Sequence, residues 1–249
     1  MRYFIELSYD GTHFSGWQRQ PNAGSVQATI EDALSLILRT PIEIIGCGRT
    51  DAGVHAAYYV AHFDFSGTFP EGFLSRVNKF LPPTISIFGL RQVADEAHAR
   101  FDAVERGYTY YLTTRKDPFR REQAYYFPFF AQLNQDKTQA TAALLLQYGS
   151  FYPFCKTNND AKTMDCKLTT STWTFEPDLH QAQYRVVADR FLRGMVRLIV
   201  GTCLNVGLGK LELADVQLAL EGQTRLPKAW SVPPQGLFLD TIKYPYIEH

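Results

Sequence analysis

The chain has 249 residues, 45% hydrophobic and 14% aromatic, enough to fill one large core or two of ordinary size without a metal or disulfide staple. Lys and Arg total 25, as do Asp and Glu, so a nucleic-acid partner would have to be met by basic residues gathered on one face. Arg197 interrupts the best apolar run, Met195 to Val200, which excludes a membrane span, and Cys47, Cys155, Cys166 and Cys203 show neither a C-x-x-C pair nor zinc-ligand spacing.

Met1 leads directly into a strand pattern, so no signal peptide is expected, and free thiols fit a reducing cytoplasm. Tyr3, Ile5, Leu7 and Tyr9 alternate with Phe4, Glu6, Ser8 and Asp10, the period of a half-buried strand, and Asp10-Gly11 closes it as a turn. Gly16 to Gln20 is polar around Trp17 and reads as a surface loop pinned by that ring. Ser25 can cap a helix whose apolar face is Val26, Ile30, Ala33, Leu34 and Ile37, ended by Pro41. Apolar Ile42 to Ile45 and a strand-like run from Val54 to Phe65 flank Cys47-Gly-Arg-Thr-Asp-Ala-Gly-Val-His-Ala56, a connection rich in glycine and carrying Arg49 and Asp51. Phe73, Val77 and Phe80 give a short helical stripe stopped by Pro82-Pro83, and Thr84 to Val93 reads as a strand. The order β-α-β-β-α-β predicts a ferredoxin-like unit over residues 1–104, with Asp51 in its central β-β connection.

A second unit is expected over 105–249. Arg106 to Thr114 alternates as a strand, and Arg115, Lys116, Arg120 and Arg121 cluster around Pro118, a candidate phosphate-binding loop. Lys137 to Tyr148 carries helical spacing, and Phe151 to Lys167 is irregular and polar. Two strands, Leu168 to Phe175 and Tyr184 to Asp189, precede a long apolar helix from Met195 to Gly207 containing Arg197. A buried arginine needs a partner. Pro234 to Leu239 reads as the closing strand, so the fold class is α+β: two ferredoxin-like units with mainly antiparallel sheets, joined across a central cleft.

Gly48-Arg-Thr-Asp-Ala-Gly-Val-His55 resembles the active-site loop of the tRNA pseudouridine synthase A family. Tyr9-Asp-Gly with Gly16-Trp-Gln-Arg-Gln20, Tyr108-Thr-Tyr110, Phe191-Leu-Arg-Gly-Met-Val-Arg197 and the closing Gly236-Leu-Phe-Leu239 are similar to further stretches of that family. The resemblance spans Tyr9 to Leu239 and is weakest from Phe119 to Lys167, where Ser150 and Lys162-Thr163 stand in place of the usual aspartate and arginine-threonine pair. It implies Asp51 as nucleophile, Arg197 as its ion-pair partner, and Arg49 filling the space left by a flipped base. It implies Tyr108 against the target ring, with His98, Arg100 and Lys162 toward the RNA. It further implies tRNA as partner, uridines 38, 39 and/or 40 of the anticodon stem-loop as targets, no cofactor, no metal, and a homodimer.

The chemistry asked of such a site is to break a C–N glycosidic bond, turn the uracil and rejoin it through carbon. A free aspartate is ionised at neutral pH and needs no general base to act as a nucleophile. Flipping a paired base costs a few kcal/mol, and stacking on a tyrosine returns about 1–3 kcal/mol. A non-catalytic RNA-binding protein on the same fold is the competing reading, but no RNP-like string is present. A glycoside or nucleoside hydrolase would normally use two carboxylates, and only Glu43 and Asp64, in flanking strands, are near Asp51 in sequence.

Overall fold

The computed structural model describes residues 1–156 and 162–247 and divides into two compact units, Met1–Val104 with Phe238–His249, and Glu105–Leu237. Residues 238–247, which the sequence pattern assigns to the second unit, group with the first.

In the first unit the elements run β1 (Arg2–Tyr9), α1 (Val26–Leu38), β2 (Ile45–Gly46), β3 (His55–Asp64), α2 (Phe73–Phe80) and β4 (Ile85–Val93), the expected β-α-β-β-α-β order. Strand β1 lies between β4 and β3, antiparallel to both, with Ile5 opposite Ala61 on one side and Leu90 on the other. The far edge of β3 is shared: β2 pairs antiparallel at Ala61–His62, and β9 (Leu237–Lys243) pairs parallel at His55–Ala56. The Ile42–Ile45 run is strand only at its last residue, since Glu31 takes the Ile44 amide instead, at 3.0 Å.

Alternation in β1 predicts one buried face, and Tyr3, Ile5, Leu7 and Tyr9 are buried. Phe4 on the opposite face is buried as well, because the His62 and Tyr244 rings cover it at 6.1 and 5.2 Å. The Ser25 hydroxyl caps α1 by accepting the Ala28 amide, and Val26, Ile30, Ala33 and Leu34 face the core. Glu31 is buried on the same helix, yet its carboxylate is satisfied by Arg19 Nε at 2.7 Å, Gln27 Nε2 at 2.9 Å and the Ile44 amide. Such charge-assisted bonds offset the cost of burying the carboxylate. They also hold the Trp17–Gln20 segment on α1, where the Gln27 amide donates to Trp17 O at 2.9 Å.

The second unit runs β5 (Glu105–Thr113), β6 (Tyr125–Tyr126), α3 (Gln135–Leu144), β7 (Leu168–Glu176), β8 (Gln181–Ala188), α4 (Met195–Gly207) and α5 (Leu213–Gly222). Strand β8 lies antiparallel between β5 and β7, and β6 adds a short parallel pair at Leu112–Thr113. Strand pairing within each unit is thus mostly antiparallel. Helix α4 is buried along nearly its whole length, as expected of a helix that is apolar on most of its circumference, with Arg197 in its first turn half-buried. Tyr184, fully buried beneath it, shares its hydroxyl with Ser171 Oγ at 2.7 Å, so no polar cost is left open. Among the described residues no helix is long and apolar enough to cross a membrane.

Candidate active site

Asp51 is half-buried in the Cys47–Val54 connection between β2 and β3, as the sequence pattern implied. The loop is bonded on both sides of that residue. Cys47 N donates to Val60 O at 2.9 Å, Tyr59 Oη donates to Gly48 O, and Trp17 N donates to Thr50 O at 3.3 Å. The Thr50 and Tyr9 hydroxyls share a hydrogen bond of 2.9 Å. Beyond Asp51 the chain turns at once: Val54 N donates to Asp51 O at 3.2 Å, Gly53 takes φ +74°, and Gly53 N donates to Phe14 O at 3.3 Å. Glycine is the residue that holds such a φ without steric cost.

Three rings form the floor of this loop. Trp17 stacks on Tyr59 with centroids 4.0 Å apart, and Tyr9 meets them at 6.0 and 5.6 Å. All three are buried. The Gly16-Trp17 segment comes so near that a Cβ on Gly16 would lie 2.6 Å from Thr50 O, at a φ of +96°. His55, the last residue of the motif, is buried; its Nδ1 accepts the Gly11 amide at 3.1 Å and its ring stacks on Phe238 at 4.5 Å. It ties the end of β1 to the start of β3.

Arg49 is exposed on the same loop, two residues before Asp51. His98 and Arg100 share the turn after β4. The His98 Nδ1 accepts the Arg100 and Phe101 amides at 3.1 and 3.3 Å, and Asp102 Oδ2 accepts the His98 amide at 2.8 Å. Burial holds the His98 pKa below its ordinary value, with Asp102 opposing. The imidazole therefore organises the turn, while Arg100 is exposed with its guanidinium 5.6 Å from the Phe101 ring centre.

In the second unit Tyr108 is half-buried on β5, opposite Val186, and its ring meets Phe191 edge-on at 5.1 Å. Tyr110 is fully buried, and its hydroxyl donates to Pro233 O at 2.8 Å; it is the core tyrosine of the pair, as expected. Arg197 is half-buried in the first turn of α4, and its Nε donates to Val232 O at 2.7 Å. Lys162 is exposed beside residues 157–161, which lie outside the described residues. Its neighbour Thr163 accepts a bond from Arg190 Nη1 at 3.3 Å, so an arginine distant in sequence approaches the threonine where the family pattern has an adjacent one. In the basic turn Arg121 pairs with Glu122 at 3.0 Å.

Two contributors are hard to see in sequence: Tyr59, which looks like one more aromatic in a strand, and the Lys228–Val232 segment, which carries no motif. Gly46 was the available signal for Tyr59: a Cβ there would lie 2.6 Å from Trp17 Cε2 and closer still to Tyr59 Oη.

The family profile described as tRNA pseudouridine synthase matches residues 7–102 and 148–245. The chain is 44% identical to tRNA pseudouridine synthase A of Porphyromonas gingivalis over 247 residues, covering 98% of this chain and 97% of the relative. It is 45% identical to that of Bacteroides thetaiotaomicron (98% and 91% covered), and 35% identical to that of Caldicellulosiruptor bescii (96% and 98% covered).

Proposed function

The chain belongs to the tRNA pseudouridine synthase family, and from that premise we propose that it isomerises uridine to pseudouridine in the anticodon stem-loop of tRNA with Asp51 as nucleophile. The supporting observation is the Gly48–His55 string held as a bonded loop, with hydrogen bonds on both flanks of Asp51. A nucleophile that attacks a flipped base gains from a fixed backbone, because an ångström of misplacement can cost on the order of 10²-fold in rate.

In this reading the target uridine leaves its stem, Arg49 fills the vacated space, and Tyr108 packs on the extruded ring. The N1–C1′ bond breaks, the uracil rotates, and a C5–C1′ bond forms; C5 loses its hydrogen and N1 takes up a proton, so atoms and electrons balance without any co-reactant. The family resemblance supports Arg197 as the residue that pairs with and directs the nucleophile's carboxylate, since a guanidinium can bind both carboxylate oxygens. Arg100 and Lys162, both exposed, meet phosphates, and His98 shapes the turn that presents Arg100. The enzyme acts in the cytoplasm, in keeping with cysteines held as thiols, and as a homodimer, which the family resemblance supports.

The test is tritium release from unmodified tRNA labelled at uracil C5, run beside Asp51→Asn. Wild type should liberate tritium into water and the variant none. Arg197→Lys should lower turnover far more than tRNA affinity. If wild type binds tRNA but releases no tritium, a binding role replaces the catalytic one.

A further inference from the structure

Helix α4 carries a strap, Lys228 to Val232, along one side, all within the second unit. Asn205 Nδ2 donates to Lys228 O at 3.0 Å. One helical turn earlier, a Cβ on Gly201 would lie 2.8 Å from the Trp230 carbonyl carbon and nearer still to its oxygen. One turn earlier again, Arg197 Nε donates to Val232 O at 2.7 Å while Val232 N donates back to Arg197 O at 3.3 Å. Helix positions 205, 201 and 197 thus meet strap positions 228, 230 and 232. The spacing matches the helix: four helical residues rise about 6.0 Å, a distance that two strap residues can span.

The strap is also held at its ends. Lys228 Nζ donates to Lys210 O at 2.8 Å, and Pro233 O accepts the Tyr110 hydroxyl. The Trp230 ring rests against Tyr125 and Phe127, with centroids 6.3 and 6.4 Å away. Val232 is fully buried. Its carbonyl is therefore a fixed acceptor, and the bond it takes from Nε sets the rotation of the Arg197 guanidinium and the direction of its two Nη groups.

We propose that this strap is a positioning device for Arg197, with Gly201 and Asn205 as the positioning residues that keep the Val232 carbonyl in register. The inference rests on the reading of Arg197 as part of the reaction. Gly201 is required because any Cβ there would push the Trp230 carbonyl outward by on the order of 1 Å or more to reach van der Waals distance, carrying Val232 O with it. Asn205 anchors the far end.

The experiment is a double-mutant cycle read by single-turnover tritium release and by tRNA affinity. Gly201→Ala should lower the rate about 100-fold and leave affinity within about 3-fold, while Asn205→Ala should lower it about 3–10-fold. In an Arg197→Lys background, which lacks the Nε donor, each change should cost less than about 3-fold further, because residues acting as one unit are not additive. Equal costs in both backgrounds would overturn the proposal and assign the strap to packing alone. A rate unaffected by Arg197→Lys would instead remove Arg197 from the reaction, a separate failure. Should Gly201→Ala not fold, Asn205→Ala decides by the same cycle.

Discussion

Gly46→Ala tests the floor beneath Asp51. The added methyl would lie 2.6 Å from Trp17 Cε2, 2.7 Å from Trp17 Nε1 and nearer still to Tyr59 Oη. Tyr59 is fully buried and Trp17 is 3% exposed, so neither ring can swing aside into solvent. Overpacking of this kind costs about 1–3 kcal/mol. Separating the Trp17–Tyr59 stack adds about 0.5–1.5 kcal/mol, and losing the Tyr59–Gly48 hydrogen bond about 1 kcal/mol. A total near 3–5 kcal/mol, at roughly 2–4 °C per kcal/mol for a chain of this size, lowers the melting temperature by roughly 10 °C. The assay is near-ultraviolet circular dichroism during thermal unfolding, with tritium release measured well below either midpoint. Gly24→Ala is the control: nothing lies within 4 Å of a Cβ there, and the change should be close to neutral. A Gly46→Ala protein that melts within about 1 °C of wild type and keeps full turnover would refute the argument that the aromatic floor positions the loop.

His62 makes acid sensitivity a property of the first unit. Burial first, then Arg2 and His98, lower its pKa from 6.5 to about 4. The unfolded chain therefore binds the proton more readily, and the stabilisation is complete above about pH 6.5 and lost as pH falls toward about 4. The window corresponds to on the order of 3 kcal/mol, and His62→Asn, which keeps an acceptor for the Ala99 amide, should flatten urea-derived stability across it; an unchanged slope would contradict this. Tyr108→Ala should remove ring stacking worth about 1–3 kcal/mol and slow turnover roughly 5–100-fold, whereas Tyr108→Phe should stay near wild type; equal losses would point to the hydroxyl. Arg100→Ala and Lys162→Ala should each reduce the slope of log affinity against log salt by roughly 0.7–0.9 without changing single-turnover rate at saturation. A salt slope identical to wild type would remove that residue from phosphate contact.

Local pattern carried much of this protein. Period-two alternation and capped, apolar-faced helices marked the β-α-β-β-α-β order of the first unit, because a strand must alternate to bury one face and a helix must present a stripe. The Gly48–His55 string by itself places Asp51 in a β-β connection, since glycines flanking a lone carboxylate mark a loop shaped for close approach. Sequence could not say what approaches. That Trp17 and Tyr59 stack beneath the loop, that Glu31 is buried and triply satisfied, and that Phe4 is covered on the supposedly open face depend on segments distant along the chain. The same holds for the closing strand: its pattern announced a strand, but its pairing with β3 at His55–Ala56 is a non-local choice. The Lys228–Val232 strap had no signature at all, because its bonds are made by main-chain carbonyls, which every sequence possesses and only the tertiary fold brings into register with a helix.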